Sequence, residues 1–216
     1  MDNQQPSTLE HRIRFLARNA KFGDGYLWKH PECRNWKGIW TSTTPELLEA
    51  KRQLAPNMFT TGVGTATVGK GNGRFANAKP LYRLASIVHP VFTAVALATK
   101  EELFPELSLW DFGLWYLDDG CCVIRKDYHT HGGHRFSISV GDCAETADRS
   151  ALFHKCLQQL FGADYGRVVP NNSKATERNK TWYIPRHVAE LILQEARKYN
   201  VLLHKFPQGE GSSTIP

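Results

Sequence analysis

The chain of 216 residues contains no uninterrupted apolar run of about 18 residues, the length at which a membrane-spanning helix becomes feasible, so no membrane partner is expected. Residues 1–8 are polar and lack the apolar stretch of a signal peptide, which points to an intracellular protein, in cytoplasm or organelle. Cysteine is sparse and odd in number: Cys33, Cys121, Cys122, Cys143 and Cys156. No CxxC spacing occurs, which argues against a zinc ribbon and a secreted disulfide framework and for reduced structural thiols. A His-Asn-His constellation with paired zinc cysteines is missing, which disfavours an HNH nuclease. Splicing residues of the intein kind do not flank the chain, and no helix-turn-helix pattern follows residue 207, as a regulator would be expected to carry.

What is present is a basic, core-forming chain. Hydrophobic residues make up 41%, enough for a real core in one large domain or two small ones. The net charge is +6 with nine further histidines, a balance that favours a polyanion such as nucleic acid.

The most informative feature is a phrase that occurs twice. Phe22-Gly23-Asp24-Gly25-Tyr26-Leu27 and Tyr116-Leu117-Asp118-Asp119-Gly120 both read as a helix ending in an acid followed by glycine. Asp24 and Asp119 stand 95 positions apart, a domain-length period. Two copies packed about a pseudo-two-fold axis would bring two carboxylates side by side.

The surrounding pattern repeats too. Apolar or small residues at Leu9, Ile13, Leu16, Ala17 and Ala20 predict a helix over 9–22, closed by Gly23 and Gly25. Strands follow at 26–29 and 36–43, then a helix from Thr44-Pro45-Glu46 to about 54, strands at 59–68 and 80–87, and a short helix over 90–99. The second half reads as a helix over 107–117, strands at 121–126 and 134–140, a helix opened at Asp142–Glu145 by a capping box and running to 161, strands at 165–169 and 180–184, and a helix over 185–199. The expected class is α+β: two pseudo-symmetric αββαββα repeats with antiparallel sheets, at 9–105 and 106–207, with a flexible tail at 208–216.

These residues resemble the monomeric, two-motif LAGLIDADG homing endonucleases. The second motif is carried by 114–120 and the first by Leu16 with 22–27; weaker matches are His89-Pro90-Val91-Phe92, Lys100, Trp182-Tyr183-Ile184-Pro185 and 203–207. The resemblance covers about residues 9–207. It implies two sheets forming a saddle over the major groove of double-stranded DNA with a long recognition site, and a monomer as the working unit. It also implies that Asp24 and Asp119 bind divalent metal, Mg2+ or Mn2+, between the scissile phosphates, which suits the preference of magnesium for hard oxygen ligands. The backbone carbonyls of Gly23 and Asp118 could add ligands. Lys100 and Lys205 match basic residues near the family's active site and would stabilise phosphate charge. Close packing of the motif helices would rest on Ala17, Ala20, Gly23 and Gly113, although Arg18, Asn19, Lys21, Trp115 and Tyr116 depart from the family pattern.

DNA contact is expected from strands and their loops: Lys29, Lys37, Lys70, Arg74, Lys79, Arg83, Arg125, Lys126, Arg135, Arg167, Lys174, Arg178 and Lys180. Trp28 and Trp36, beside Lys29 and Lys37, are candidates for stacking near DNA; the other tryptophans are core by default. His129, His131 and His134 lie in a glycine-rich hairpin loop without cysteine partners, a poor zinc site and a better DNA-facing loop. The leading function is a site-specific double-strand DNA endonuclease of a mobile element, intron-encoded or free-standing. The alternative is an intron-encoded RNA maturase, or a non-cleaving nucleic-acid-binding protein on the same fold.

Overall fold

The computed structural model describes residues 8–66, 80–124, 133–170, 180–202 and 205–207. Two four-stranded antiparallel sheets form with the same order, β1-β2-β4-β3 and β5-β6-β8-β7. The first contains β1 (Gly25–Trp28), β2 (Lys37–Ser42), β3 (Gly64–Thr65) and β4 (Tyr82–Ala85), with helices α1 (Leu9–Phe22), α2 (Pro45–Leu54) and α3 (Pro90–Leu97). A short helix α4 (Lys100–Leu103) and a 3-10 turn, Phe104–Glu106, lead to α5 (Leu109–Asp119). The second sheet contains β5 (Gly120–Ile124), β6 (His134–Ser139), β7 (Arg167–Pro170) and β8 (Lys180–Ile184), with α6 (Ala147–Phe161) and α7 (Arg186–Arg197).

Strand alternation sorts each sheet into two faces. Trp40 and Leu84 pair in register and are fully buried in the core with α1. Ile138 and Trp182 do the same in the second sheet. One apolar core runs through both halves without a break. Phe22 of α1 packs on Trp115 of α5 at 5.6 Å between centroids, Trp115 on Phe112 at 5.6 Å, and Phe112 on Trp182 at 5.4 Å. Aromatic contacts of this kind contribute beyond their buried area, so the two halves hold each other.

Several sequence expectations are corrected. Of the strand expected over 59–68, the described residues 59–66 form only Gly64–Thr65, because Pro56 opens a 3-10 turn and Met58 and Phe59 are spent in the core; 67–68 lie outside the described residues. The capping box at Asp142–Glu145 does not open α6: Gly141–Ala144 is a 3-10 turn, and the Thr146 hydroxyl caps the helix by accepting from the Arg149 amide at 3.2 Å. The second motif helix begins after Ser108, whose own box closes on Asp111, and it runs through both acids to Asp119. α4 was not foreseen; Thr99 and Glu102 cap it reciprocally. Gly113 does not face α1: a Cβ there would meet Glu195 Cβ at 2.9 Å and the Ala196 amide at 3.1 Å, so it lets α7 approach instead. The five cysteines are free thiols.

Candidate active site

α1 and α5 run side by side in the same direction and are pinned at both ends. At the beginning of α5, Arg18 grips Asp111 with two bonds of 2.8 and 3.0 Å, and Arg14 pairs with Glu106. Their far ends deliver Asp24, in the turn between α1 and β1, and Asp119, the last residue of α5. These two carboxylates come close enough that each shifts the proton affinity of the other. The repeated phrase in the sequence therefore becomes a single acidic pair, one member from each half.

The glycines of this turn answer to space rather than to backbone conformation. Gly23 has φ −103° and Gly120 φ −78°, neither in the left-handed region that a helix-ending glycine commonly takes. A Cβ on Gly23 would collide with the Asp118 carboxylate, and one on Gly25 would stand 2.8 Å from both the Ala20 Cα and the Trp40 ring.

Below the pair lies a buried polar cluster. The Asp118 side chain is completely covered and accepts from Lys51 Nζ at 2.6 Å, from Asn19 Nδ2 at 2.8 Å and from the Asp24 amide at 3.3 Å. Asn19 Oδ1 in turn accepts from Trp40 Nε1 at 3.0 Å. Lys205 Nζ donates to the last carbonyls of α5, Leu117 O at 2.6 Å and Asp118 O at 3.0 Å, where a cation also answers the helix dipole. The site thus gathers Asp24, Asp118 and Asp119 around the ammonium groups of Lys51 and Lys205.

The charges feel one another. Burial, and then the charges of Asp24 and Asp118, push the Asp119 carboxyl up to about 7. Asp24 has one side open to solvent, yet crowding on the other raises it too; Asp118 adds to the rise and Lys51 opposes it. Burial lowers the Lys205 ammonium against the opposing pull of the three aspartates. Such a pair of under-compensated hard oxygen donors suits a divalent cation. Asp118 is committed to Lys51 and Asn19, so the pair offers two carboxylates; among the described residues, no group of three His, Cys, Asp or Glu side chains could hold a metal. The Gly23 carbonyl accepts from the Gly25 amide at 2.8 Å and the Asp118 carbonyl from Lys205, each keeping a second lone pair.

The other predicted residues divide. Lys100 is not at the pair: its ammonium meets Asp142 at 3.2 Å and lies over the Phe22 ring. Lys37 stands over the exposed Trp28 ring at 4.9 Å, on the face of the first sheet away from the helices, and Arg83 is exposed on that face opposite Thr41. Trp36 instead packs against the core. Lys29 is exposed just beyond β1. Arg135 and Arg167 both lie over Tyr183, at 3.9 and 5.5 Å, on the uncovered face of the second sheet. Lys180 alternates to the other side, in step with Trp182, where its charge lowers the His154 imidazole after burial does. Lys70, Arg74, Lys79, Arg125, Lys126, Lys174, Arg178, His129, His131 and the tail at 208–216 lie outside the described residues. His134 begins β6 with its Nε2 buried and unpartnered.

Residues that sequence reasoning missed are Lys51 and Asn19. Lys51 shares the buried side of α2 with Leu47 and Leu48, a lysine on an apolar helix face, and that was the available signal. A groove of about 450 Å3 leads from Asp119 along the second sheet between Val123, Arg135, Ser137, Ser139, Thr181 and Tyr183. A second hollow of about 410 Å3, between His134, Arg167 and Arg186, touches neither aspartate of the pair.

Compared with solved structures, the chain is similar to the homing endonuclease I-WcaI bound to its DNA recognition sequence, with TM-score 0.70 and 13% identity over 95% of this chain and 89% of that one. It is also similar to the N-terminal LAGLIDADG domain of DUF199/WhiA, with TM-score 0.50 and 12% identity over 90% of this chain and 84% of that one. No family model matches the sequence, and no curated protein matches it. The chain therefore has the two-motif LAGLIDADG fold, a likeness of structure at very low identity. No helix among the described residues is long and apolar enough to cross a membrane.

Proposed function

We propose that this protein is a site-specific double-strand DNA endonuclease that works as a monomer of two repeats, 9–105 and 106–207, and depends on Mg2+ or Mn2+. The observation that carries this reading is the acidic pair: equivalent aspartates from two equivalent halves, brought within reach of each other at the ends of the two motif helices. Two-fold-related carboxylates suit a substrate with two backbones related by a two-fold axis. The fold is shared with an endonuclease solved on its DNA recognition sequence, which supports DNA as the partner.

In this reading Asp24 and Asp119 would hold the metal through their carboxylate oxygens, the hard donors that a divalent cation prefers. When bound, the ion supplies positive charge at the phosphate and a more acidic water. Lys205 and the Lys51–Asp118 pair keep the two helix ends rigid beneath it. Lys37, Arg83, Arg135 and Arg167 neutralise DNA phosphates or meet base edges from the uncovered sheet faces. This reading gives Lys100 no catalytic part, since its ammonium is directed at Asp142.

The test is cleavage of supercoiled plasmid carrying a library of long target sites, with and without Mg2+, by wild type, Asp24→Asn and Asp119→Asn. Metal-dependent double-strand cutting at a rare site, lost in both variants, is expected. Absence of cutting, with tight salt-sensitive binding to a structured intron RNA, would replace this reading with the maturase.

A further inference from the structure

The two halves of the acidic pair are built differently. Immediately before Asp24 stands Gly23; immediately before Asp119 stands Asp118. The Asp118 side chain does not remain in its own half. It crosses to α1 and takes the space where a side chain on Gly23 would begin. There its Oδ2 accepts from Asn19 Nδ2 at 2.8 Å and from the backbone amide of Asp24 at 3.3 Å, while Oδ1 accepts from Lys51 at 2.6 Å. Three groups of the first half thus converge on one carboxylate of the second. Among the described residues, no side chain of the first half bonds the Asp119 backbone in the same way. The α5 end is held instead from its own half by Lys205.

We infer that Asp118 is a positioning residue for Asp24: the second half supplies the carboxylate that fixes the first half's metal-binding aspartate. This rests on the acidic pair being a metal site, and it adds a directional dependence to that reading. Asp24 takes its place only when the second motif is docked, whereas Asp119 takes its place from within its own half. Gly23 is glycine because the interlock occupies its side-chain space. Lys51 is buried because the crossing carboxylate needs a counter-charge where water cannot reach it.

The test is Mn2+ binding to the metal-free protein, followed by electron paramagnetic resonance without DNA, with plasmid nicking as a second readout. Asp118→Ala alone leaves Lys51 buried and unpaired, so the informative variants change both partners. Lys51→Met/Asp118→Ala removes the acceptor without stranding a charge, and Lys51→Met/Asp118→Asn keeps an oxygen for the Asp24 amide. The alanine double variant is expected to bind Mn2+ at least about tenfold more weakly, the loss usual for a ligand-orienting contact, and the asparagine double variant to recover most of it. On plasmid, the alanine double variant accumulates nicked circles. Gly23→Ala reproduces the weak binding in wild type and adds nothing in the alanine double variant. Equal Mn2+ affinity for wild type and the alanine double variant overturns the positioning role and leaves the metal site standing. Absence of Mn2+ binding by wild type overturns both.

Discussion

The two halves have one topology and different surfaces. On the uncovered face of the first sheet, Tyr26 and Trp28 are exposed and Ile39 lies between Tyr26 and Ala85 in register. The matching face of the second sheet carries Ser137, Ser139, Thr181 and Tyr183 with two arginines stacked on the tyrosine. The same split runs through the site, where the first motif offers an empty space at Gly23 and the second a carboxylate that fills it. Topology repeats because each half must bury a similar apolar face. The residues left over are free to diverge: the first half exposes Tyr26 and Trp28 beside Lys37 and Arg83, and the second adds three small hydroxyls to a tyrosine flanked by two arginines.

The largest expected effect tests where the halves are equal. Asp24→Asn and Asp119→Asn should each lower the cleavage rate about 1000-fold, because a metal-held charge supplies several kcal/mol at the phosphate and each 1.4 kcal/mol is tenfold. A single-turnover assay at saturating Mg2+ measures it. Retained cutting by either variant would break the equivalence on which the functional reading stands.

The next effect tests where they differ. Asp118→Ala strands the Lys51 ammonium in the core and should cost roughly 3–5 kcal/mol of folding stability. Glu106→Gln, at a partly exposed pair on the opposite end of the same two helices, should cost about 1 kcal/mol or less. Urea unfolding of both variants gives the comparison directly. Similar losses would mean that the Asp118 cluster is no more buried in solution than the Arg14 pair.

How much of this was legible in the sequence follows from the same contrast. The doubled Asp-Gly phrase and the apolar spacing of Leu9 to Ala20 led to the helices, the sheets and the acidic pair, since each is a local pattern repeated. Lys51 and Asn19 were not read as site residues, because their role depends on an aspartate 67 and 99 positions away. Lys180 was read as a DNA contact with no face attached, because composition alone does not settle the parity of a strand; the pairing Ser139↔Thr181 sets it in step with Trp182. Lys100 had the right distance from the motif in sequence, but α4 carries it to Asp142.

A pH prediction sharpens the account of the pair. The folded Asp119 carboxyl sits near 7 against an ordinary value of 3.8, so in metal-free protein its protonated form contributes stability that is full below about 4 and is lost as pH rises toward 7. The melting temperature of wild type minus that of Asp119→Asn should therefore fall across this window. Mg2+ should oppose the fall at the upper end, where the ionised pair can receive it. A flat difference curve would mean that the Asp119 carboxyl is neither buried nor crowded by Asp24 in solution.

The smallest effects distinguish the two sheet faces. Arg135→Ala or Arg167→Ala removes one cation from the second sheet, and each should reduce the slope of log binding constant against log salt by about one if it meets a phosphate. Trp28→Ala on the first sheet removes no charge; it should weaken binding by roughly 1–3 kcal/mol if its exposed ring stacks against a base, with the slope unchanged. Fluorescence anisotropy on one target DNA across a salt series separates the two outcomes. Lys37 rides on the Trp28 ring, so a slope change in Trp28→Ala would show that the ring's work is to hold that ammonium against DNA, and the first face would then be read as electrostatic like the second.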